Sequence, residues 1–144
     1  QKLWQVAALP EETWASVEQA LAERRIKGLY VQDAAALWAR DADKWSNLFK
    51  SVELLVVQET VPSPVIELAH VVLPAAGFAE QGGTVFNVER RLLTLSQVFD
   101  PQGKSLPDYQ ILMQIMAAQG IAFPRDVAAI HEELGAILPA FSGV

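Results

Sequence analysis

Short apolar runs alternate with amphipathic stretches along the first half of the chain. Three of these runs are rich in β-forming residues and predict strands, at about residues 27–32, at Leu54–Val57 and at Val71–Ala75. Stretches with apolar residues three and four positions apart precede and separate the runs, and these stretches predict helices. Helices that alternate with strands are typical of a parallel α/β sheet with right-handed crossovers.

The second run lies in the sequence ELLVVQE, which is almost continuously apolar from Leu54 to Val57. A continuous apolar run of this length predicts a strand with both faces buried, as in the middle of a parallel sheet. The helix before it is predicted to pack on the sheet through Trp45, Leu48 and Phe49.

The pattern changes after the third strand. The sequence FAEQGGTVFNVERRLLTLSQV predicts a glycine turn and then extended segments, and DPQGKSLPD predicts a loop. Two helices follow, one capped by Asp108 and ended by Gly120, the other beginning at Pro124 and stopped by Pro139. The sequence thus predicts one α/β domain over residues 1–144. Its expected architecture is a three-layer Rossmann-like or flavodoxin-like domain with a mainly parallel sheet, then the glycine turn, the extended segment and two C-terminal helices.

Composition and charge exclude several classes of function. The formal net charge of -6 leaves no basic patch for a nucleic acid or an anionic membrane surface. The chain has no cysteine, which excludes a disulfide framework, a cysteine nucleophile and a Cys-ligated iron–sulfur cluster within these residues. His70 and His131 lack metal-ligand spacing, and a structural role is expected for His70. The sequence begins without an initiator methionine, so we expect a piece of a longer chain.

Polar residues follow each predicted strand, at the edge where parallel α/β sheets bind their ligands. Asp33, the pair Gln58-Glu59 and the glycine pair Gly82-Gly83 are expected to converge there. The two acids suit hydrogen bonds from a ribose hydroxyl or a guanine edge, and a helix cap or a solvated acid is the common alternative. The glycine pair suits either close approach of a ligand or a tight turn. It matches neither the dinucleotide fingerprint nor the phosphate-binding P-loop.

Charged residues flank the glycine pair. Glu80 is expected to order the loop through backbone amides, with a general base as the alternative. Glu89 and the arginines Arg90 and Arg91 are expected to form surface ion pairs. Guanidinium groups also bind phosphate well, so an anion site at these arginines is the second possibility.

One long stretch of the sequence is more informative as a whole than any of its short motifs is alone. Along it stand Val56-Val57-Gln58-Glu59, the sequence AHVVLPA at residues 69–75, Glu80, Gly83-Thr84, Asn87, Glu89-Arg90 and Asp108-Tyr109. These residues and their spacing, over about residues 27–120, resemble the molybdopterin oxidoreductase family. That family includes formate dehydrogenases, nitrate reductases and the large G subunit of NADH-quinone oxidoreductase, which is respiratory complex I.

The resemblance implies one α/β domain of a large subunit rather than a whole enzyme. In members that carry the cofactor, this domain helps to hold one guanosine half of the bis-molybdopterin guanine dinucleotide. The metal ligand and the iron–sulfur cysteines lie elsewhere in such chains. The residues implied to line the cofactor are Asp33, Gln58, Glu59, Gly83, Thr84 and Asn87, and those implied to order the loop are Glu80, Glu89 and Arg90.

Departures from the family pattern bear on the cofactor. The family has a Gly-x-Asn-Pro loop after the first strand, where this chain has VQDAAAL, and the acid of its VVQD motif is Glu59 here. Our first hypothesis is therefore a structural domain of a complex I G-type subunit, with no catalytic residue or cofactor of its own, in a parent that carries iron–sulfur clusters. The alternative is the domain that cradles molybdopterin guanine dinucleotide in a formate dehydrogenase-like molybdenum or tungsten enzyme. A third possibility is a freestanding nucleotide binder.

Both family hypotheses imply the same kind of partners. These are the other domains of the parent subunit and further oxidoreductase subunits, with no nucleic acid and no direct insertion into a membrane. The expected location is cytoplasmic, peripheral to the inner face of the membrane through the parent complex.

Overall fold

The computed structural model describes residues 11–89, 91–121 and 126–137. These fall into two compact units, one that ends at Pro74 and one that begins at Ala75. The elements of the first unit are α1 (Glu11–Ala22), β1 (Gly28–Gln32), α2 (Ala35–Arg40), α3 (Ala42–Phe49), β2 (Leu54–Glu59), a 3-10 helix (Pro64–Leu68) and β3 (Val71–Pro74). Those of the second are a 3-10 turn (Phe78–Glu80), β4 (Gly83–Phe86), β5 (Leu92–Leu95), α4 (Asp108–Ala118) and α5 (Val127–Ile137).

The first unit contains the predicted parallel sheet, with its strands in the order β1-β2-β3. The register pairs Gln32 with Gln58, and Glu59 with Pro74, so the carboxyl ends of the three strands meet at one edge. The α/β class predicted from the alternation of helices and strands is confirmed.

One face of this sheet, which we call the core face, packs against helices. Leu55 and Val57 of β2 are fully buried there. Trp45 and Phe49 of α3, whose ring centroids lie 5.5 Å apart, belong to the same hydrophobic cluster, and so does Val65 of the 3-10 helix. Right-handed connections between parallel strands in sequential order place their helices on the same face of a sheet, which explains why this cluster lies on one side.

The opposite face, which we call the open face, carries the side chains of Tyr30, Leu54, Val56, Val71 and Leu73, and Gln32 and Gln58 lie on the same side. Leu54 is 46% exposed, Val71 42% and Tyr30 39%. The prediction that β2 is buried on both faces is wrong on this point. Successive side chains of a strand alternate between the two faces, and the helices that connect these strands cover only one of them.

The segment between β1 and β2 forms two helices, because the backbone leaves the helical conformation at Asp41. This residue has an extended backbone, with φ -162° and ψ 89°, and its side chain accepts a hydrogen bond from the Lys44 amide at 3.0 Å. It therefore caps the N-terminus of α3. The cap sets the direction of the helix that delivers Trp45 and Phe49 to the core.

His70 connects the entrance of β3 to β2. Its Nδ1 accepts a hydrogen bond from the Leu55 amide at 2.9 Å, and its own amide donates to the Leu55 carbonyl at 2.9 Å. The structural role expected for this histidine is confirmed.

The second unit contains an antiparallel hairpin, β4-β5, whose register runs from Gly83 opposite Leu95 to Phe86 opposite Leu92. The extended segments predicted after the glycine turn are thus the two strands of this hairpin. Within the described ranges, no helix has the length and apolar character needed to cross a membrane.

Two helices follow the hairpin, as predicted, but their ends differ from the prediction. Asp108 is the first residue of α4 and not its cap, because Pro107 occupies the cap position and makes no side-chain capping bond. At the start of α5, the Asp126 carboxylate accepts from the Ala129 amide at 2.8 Å. The predicted start at Pro124 and stop at Pro139 lie outside the described residues.

We expect Asp41→Ala to lower the free energy of unfolding by about 1 kcal/mol, because the first turn of α3 loses its side-chain cap. Asp43→Ala is the matched control. Asp43 lies in the first turn of the same helix, where its charge interacts favourably with the helix dipole, so its loss should cost about 0.3 kcal/mol. Urea unfolding of both variants measures the difference, and equal losses would contradict the capping role.

Candidate functional site

The carboxyl ends of β1 and β2 bring the first candidate residues together. The Asp33 amide donates to the Gln58 carbonyl at 3.1 Å, which extends the ladder between the strands by one residue. Asp33 has a φ of 55°, in the left-handed region that Asp tolerates better than most residues. The residue is exposed, so the turn presents an aspartate at the edge of the sheet.

Gln58 and Glu59 end the central strand, and both are buried. Gln58 has no exposed surface, although it lies on the side of β2 that belongs to the open face. The hydroxyl of Tyr30, on the neighbouring strand, donates a hydrogen bond to the Gln58 Oε1 atom. Tyr30 thus holds the side-chain amide of Gln58, which the sequence analysis named as a candidate ligand.

Glu59 is 6% exposed and has a hydrogen-bond partner in the next loop. The hydroxyl of Ser63, itself buried, donates to the Glu59 Oε1 atom at 3.2 Å. A buried carboxylate requires such donors, because desolvation of the charge is otherwise costly. Ser63 therefore fixes the carboxylate at the edge of the sheet.

The sequence analysis did not identify Tyr30 or Ser63 as partners in this site. The register of β1 against β2 brings the Tyr30 hydroxyl within reach of Gln58, two positions further along the neighbouring strand. Ser63 lies four residues after Glu59, beyond the end of the strand. Its contact with Glu59 depends on how this loop folds.

The glycine loop in the second unit is ordered by Glu80. Its Oε2 atom accepts a hydrogen bond from the Gly77 amide at 2.7 Å, while its own amide donates to the Gly77 carbonyl at 2.9 Å. This reciprocal pair closes the 3-10 turn before the two glycines. The carboxylate is thus engaged with the backbone, as a loop-ordering side chain would be; a contribution to a cofactor site stays a prediction.

The two glycines differ in the space around them. A Cβ atom added at Gly82 would lie 3.4 Å from the Leu95 carbonyl oxygen, whereas one at Gly83 would meet nothing within 4 Å. Gly83 has a φ of +154°, which other residues rarely adopt. Backbone conformation therefore favours glycine at residue 83, whereas a Cβ atom at residue 82 would make an ordinary van der Waals contact with β5.

Thr84 and Asn87, the other candidates in this unit, both have structural partners. The Thr84 Oγ1 atom lies 3.1 Å from Nε2 of His131 on α5, so this contact connects β4 to the last described helix. The Asn87 Oδ1 atom accepts from the Arg91 amide at 2.9 Å, and the Asn87 amide donates to the Arg91 carbonyl at 3.0 Å. Asn87 thus closes the turn of the hairpin. A cofactor role for either residue stays a prediction.

The described charged residues of the hairpin turn, Glu89 and Arg91, lie at the surface. Glu89 pairs with Arg91 at 3.3 Å between Oε2 and Nε, and both side chains are largely exposed. Arg90 lies outside the described residues. Across the part of the chain that the structure describes, no group of three His, Cys, Asp or Glu residues is arranged to hold a metal ion.

Gln81 is a further loop residue that the sequence analysis missed. Its side-chain amide donates to the Ala76 carbonyl and to the Asp108 Oδ2 atom, each at 3.4 Å, and its Oε1 atom accepts from the Asp108 amide at 3.4 Å. These bonds connect the glycine loop to the first turn of α4.

The sequence of this chain matches a known protein family. The family model for molybdopterin oxidoreductases matches residues 5–118. A probable oxidoreductase of Bacillus subtilis, YjgC, is 34% identical over 122 residues, which cover 83% of this chain and 12% of that protein. The alpha subunit of the F420-dependent formate dehydrogenase 2 of Methanococcus maripaludis is 29% identical over an alignment covering 100% of this chain and 22% of that subunit. The chain thus spans less than a quarter of the length of these relatives.

Among solved structures, the acetylene hydratase of Pelobacter acetylenicus resembles this chain with a TM-score of 0.61. The match covers 74% of this chain and 16% of the hydratase, at 22% sequence identity. At that identity the likeness shows a shared fold.

We expect Ser63→Ala to lower the free energy of unfolding by about 1.5–3 kcal/mol, because a buried carboxylate loses a charge-assisted hydrogen bond. Thr60→Ala is the matched control, since it removes an exposed hydroxyl from the same loop and should change stability by less than about 0.5 kcal/mol. Thermal or urea unfolding measures both. A loss in the double variant Ser63→Ala/Glu59→Gln equal to the sum of the single losses would argue against the contact.

We expect His131→Ala to increase amide hydrogen exchange in β4, because the hairpin loses its side-chain contact with α5. Glu132→Ala, an exposed neighbour on the same helix, is the control and should leave exchange in β4 unchanged. Peptide-level hydrogen exchange measures both variants. The same acceleration in the two variants would show that damage to the helix, and not loss of the Thr84 contact, is responsible.

Proposed function

The chain belongs to the molybdopterin oxidoreductase family, and we propose that it is the part of a formate dehydrogenase-like subunit that holds a guanosine end of molybdopterin guanine dinucleotide. The observation that carries this proposal is the buried Glu59 carboxylate, fixed by Ser63 at the carboxyl edge of the sheet. Asp33 stands at the same edge, after the neighbouring strand. Ligands of open α/β sheets bind at this edge.

The residues at this edge fit a nucleoside better than a bare phosphate. Asp33 and Glu59 are hydrogen-bond acceptors when ionised, and guanine and ribose offer amine, imine and hydroxyl donors. None of the six candidate residues is basic, so these side chains would not neutralise a phosphate. The acidic pair therefore matches the nucleoside end of the cofactor.

In the second unit, the glycine loop is suited to approach by a ligand. The space around Gly83 is open on the side where another residue would carry its Cβ atom. Glu80 holds the preceding turn by its bonds to Gly77. A ligand that approached this backbone would find an ordered main chain, whose amides are suited to an anionic group.

The bound cofactor would supply the metal centre at which oxidation and reduction occur. The residues of this chain would bind and orient its nucleoside end. With no cysteine in the chain, any iron–sulfur clusters of the parent would be held by other parts of it. We therefore assign no catalytic residue to these 144 residues.

The second candidate is the structural domain of a complex I G-type subunit. The observation in its favour is the sequence VQDAAAL after β1, where the family pattern has a Gly-x-Asn-Pro loop. The relatives named as formate dehydrogenase subunits support the cofactor-holding function more than this one. Under either proposal the partners are other domains of the parent and further subunits, on the cytoplasmic side of the membrane.

The test is the cofactor content of the full-length polypeptide that contains this chain. We expect stoichiometric GMP after acid hydrolysis, together with bound molybdenum or tungsten. Glu59→Ala should raise the dissociation constant of the nucleoside end about tenfold, the effect of losing one charged hydrogen bond worth about 1.5 kcal/mol, and so lower the GMP content that survives extensive dilution. Glu53→Ala, which removes an exposed carboxylate paired with Lys27, should leave the content unchanged. A purified parent without GMP or metal would favour the complex I proposal.

A further inference from the structure

The amide at the start of the β2–β3 ladder is bonded to a side chain and not to a carbonyl of the neighbouring strand. Leu55 has no exposed surface, so its N–H group needs a partner within the protein. The Nδ1 atom of His70 accepts that hydrogen bond at 2.9 Å. The first register pair of the two strands is Val56 with Val71, so the imidazole ring joins the strands one position before their ladder begins.

This contact fixes the protonation state of the His70 ring. A backbone amide is a donor, so the Nδ1 atom that faces it must carry a lone pair. A neutral imidazole has its single N–H on the other nitrogen, Nε2, whereas a charged imidazole carries a hydrogen on both nitrogens. The bond from Leu55 therefore exists only while the ring is neutral and in the Nε2–H tautomer.

The backbone of His70 completes a two-point connection between the strands. Its amide donates to the Leu55 carbonyl at 2.9 Å, so both bonds join the same two residues. The preceding 3-10 helix is anchored in the core by Val65, and the Ala69 amide donates to the Ile66 carbonyl at 3.2 Å. The chain therefore reaches His70 from a fixed direction, and the imidazole bond holds the entrance of β3 against β2.

The charged groups on the surrounding elements do not replace this bond. Glu67 lies on the 3-10 helix, Glu53 immediately precedes β2, Glu59 ends β2, and β3 contains no charged residue. Glu53 is already paired with Lys27 at 3.1 Å between Oε1 and Nζ. Among the residues that the structure describes, no carboxylate forms an ion pair with the His70 ring. A charged ring would thus lose its amide bond without an ionic partner among these residues.

We propose that His70 is a pH-sensitive switch that releases the entrance of β3 from β2 when its ring takes up a proton from solvent. In the charged ring, the hydrogen on Nδ1 faces the amide hydrogen of Leu55, and two donors repel each other. The buried Leu55 amide then loses its acceptor, which favours local opening of the strand entrance. The opened chain binds the proton without this loss, so its population rises as the pH falls through about 6.5, where histidine ordinarily titrates.

The switch acts on the strand that borders the candidate site. At its other end, β3 pairs Pro74 with Glu59 of β2. Release at His70 therefore loosens the strand beside the buried carboxylate, while the β1–β2 pairing stays intact. The inference uses only contacts between β2 and the entrance of β3, and it depends neither on a bound cofactor nor on the proposed function.

The test compares the wild type with His70→Asn and His70→Ala in the full-length polypeptide that contains this chain. The Oδ1 atom of asparagine is attached to Cγ, as Nδ1 of histidine is, so it can accept the Leu55 bond but does not titrate. His70→Ala removes the acceptor at every pH. Hydrogen exchange with fragmentation in the mass spectrometer reports on the Leu55 amide, and each rate is divided by that of the unfolded chain at the same pH.

In the wild type, opening at the Leu55 amide should increase about tenfold from about pH 8 to about pH 5.5, because the latter lies about one unit below the ordinary pKa of histidine. In His70→Asn the same change of pH should alter it less than about twofold, since the acceptor does not titrate. His70→Ala should exchange rapidly at both values. An equal pH response in the wild type and His70→Asn would overturn the proposal, and so would a wild-type amide that is equally protected at both values.

A comparison within the wild type does not depend on how the variants fold. The Asp33 amide, which donates to the Gln58 carbonyl at 3.1 Å at the opposite end of β2, reports the general response of the sheet to pH. Opening at Leu55 should rise on acidification relative to opening at Asp33. A parallel rise at both amides would identify global destabilisation by other titrating groups and contradict a switch at His70. Because exchange does not detect a cofactor, a parent without GMP would count against the proposed function alone.

Discussion

The pairing of β2 with a parallel strand on each side is the constraint on which the rest of the first unit depends. It fixes the register of Leu55 and Val57. The alternation of side chains along the strand then points both residues toward the helices that pack on the core face. The same alternation directs Leu54 and Val56 to the open face. The position of the polar residues at the carboxyl end follows from this register, because Gln58 and Glu59 directly continue the apolar run.

The candidate residues are also structural residues. Glu59 is bonded to Ser63, Thr84 contacts His131, and Asn87 closes the hairpin turn. A binding site benefits from such support, since side chains held by neighbouring groups keep their geometry when a ligand arrives. The family motif therefore describes an inherited way of shaping two loops as well as a set of possible ligands. Retention of the motif alone does not separate a cofactor-holding domain from a structural one.

The segment after β1 bears most directly on that distinction. The family pattern has glycine and Asn-Pro there, whereas this chain turns through a left-handed Asp33 and enters α2 at once. An aspartate in this conformation preserves a sharp turn and places a carboxylate at the edge of the sheet. The replacement thus changes the chemistry of the side chains that this segment presents at the edge of the sheet.

The sequence by itself determined the α/β class, the three strands and the edge at which Asp33 and Glu59 stand. It did so because hydrophobic periodicity and the positions of Pro and Gly are local signals. The two-sided burial inferred from ELLVVQE was wrong for this unit. A continuous apolar run indicates that both faces of a strand can be covered, but it does not show which segment of the chain covers each face. Only the tertiary structure decided the partners of Gln58, Glu59 and Thr84 and the exposure of Leu54, since each depends on residues distant in sequence that the strand register and the helix packing bring together.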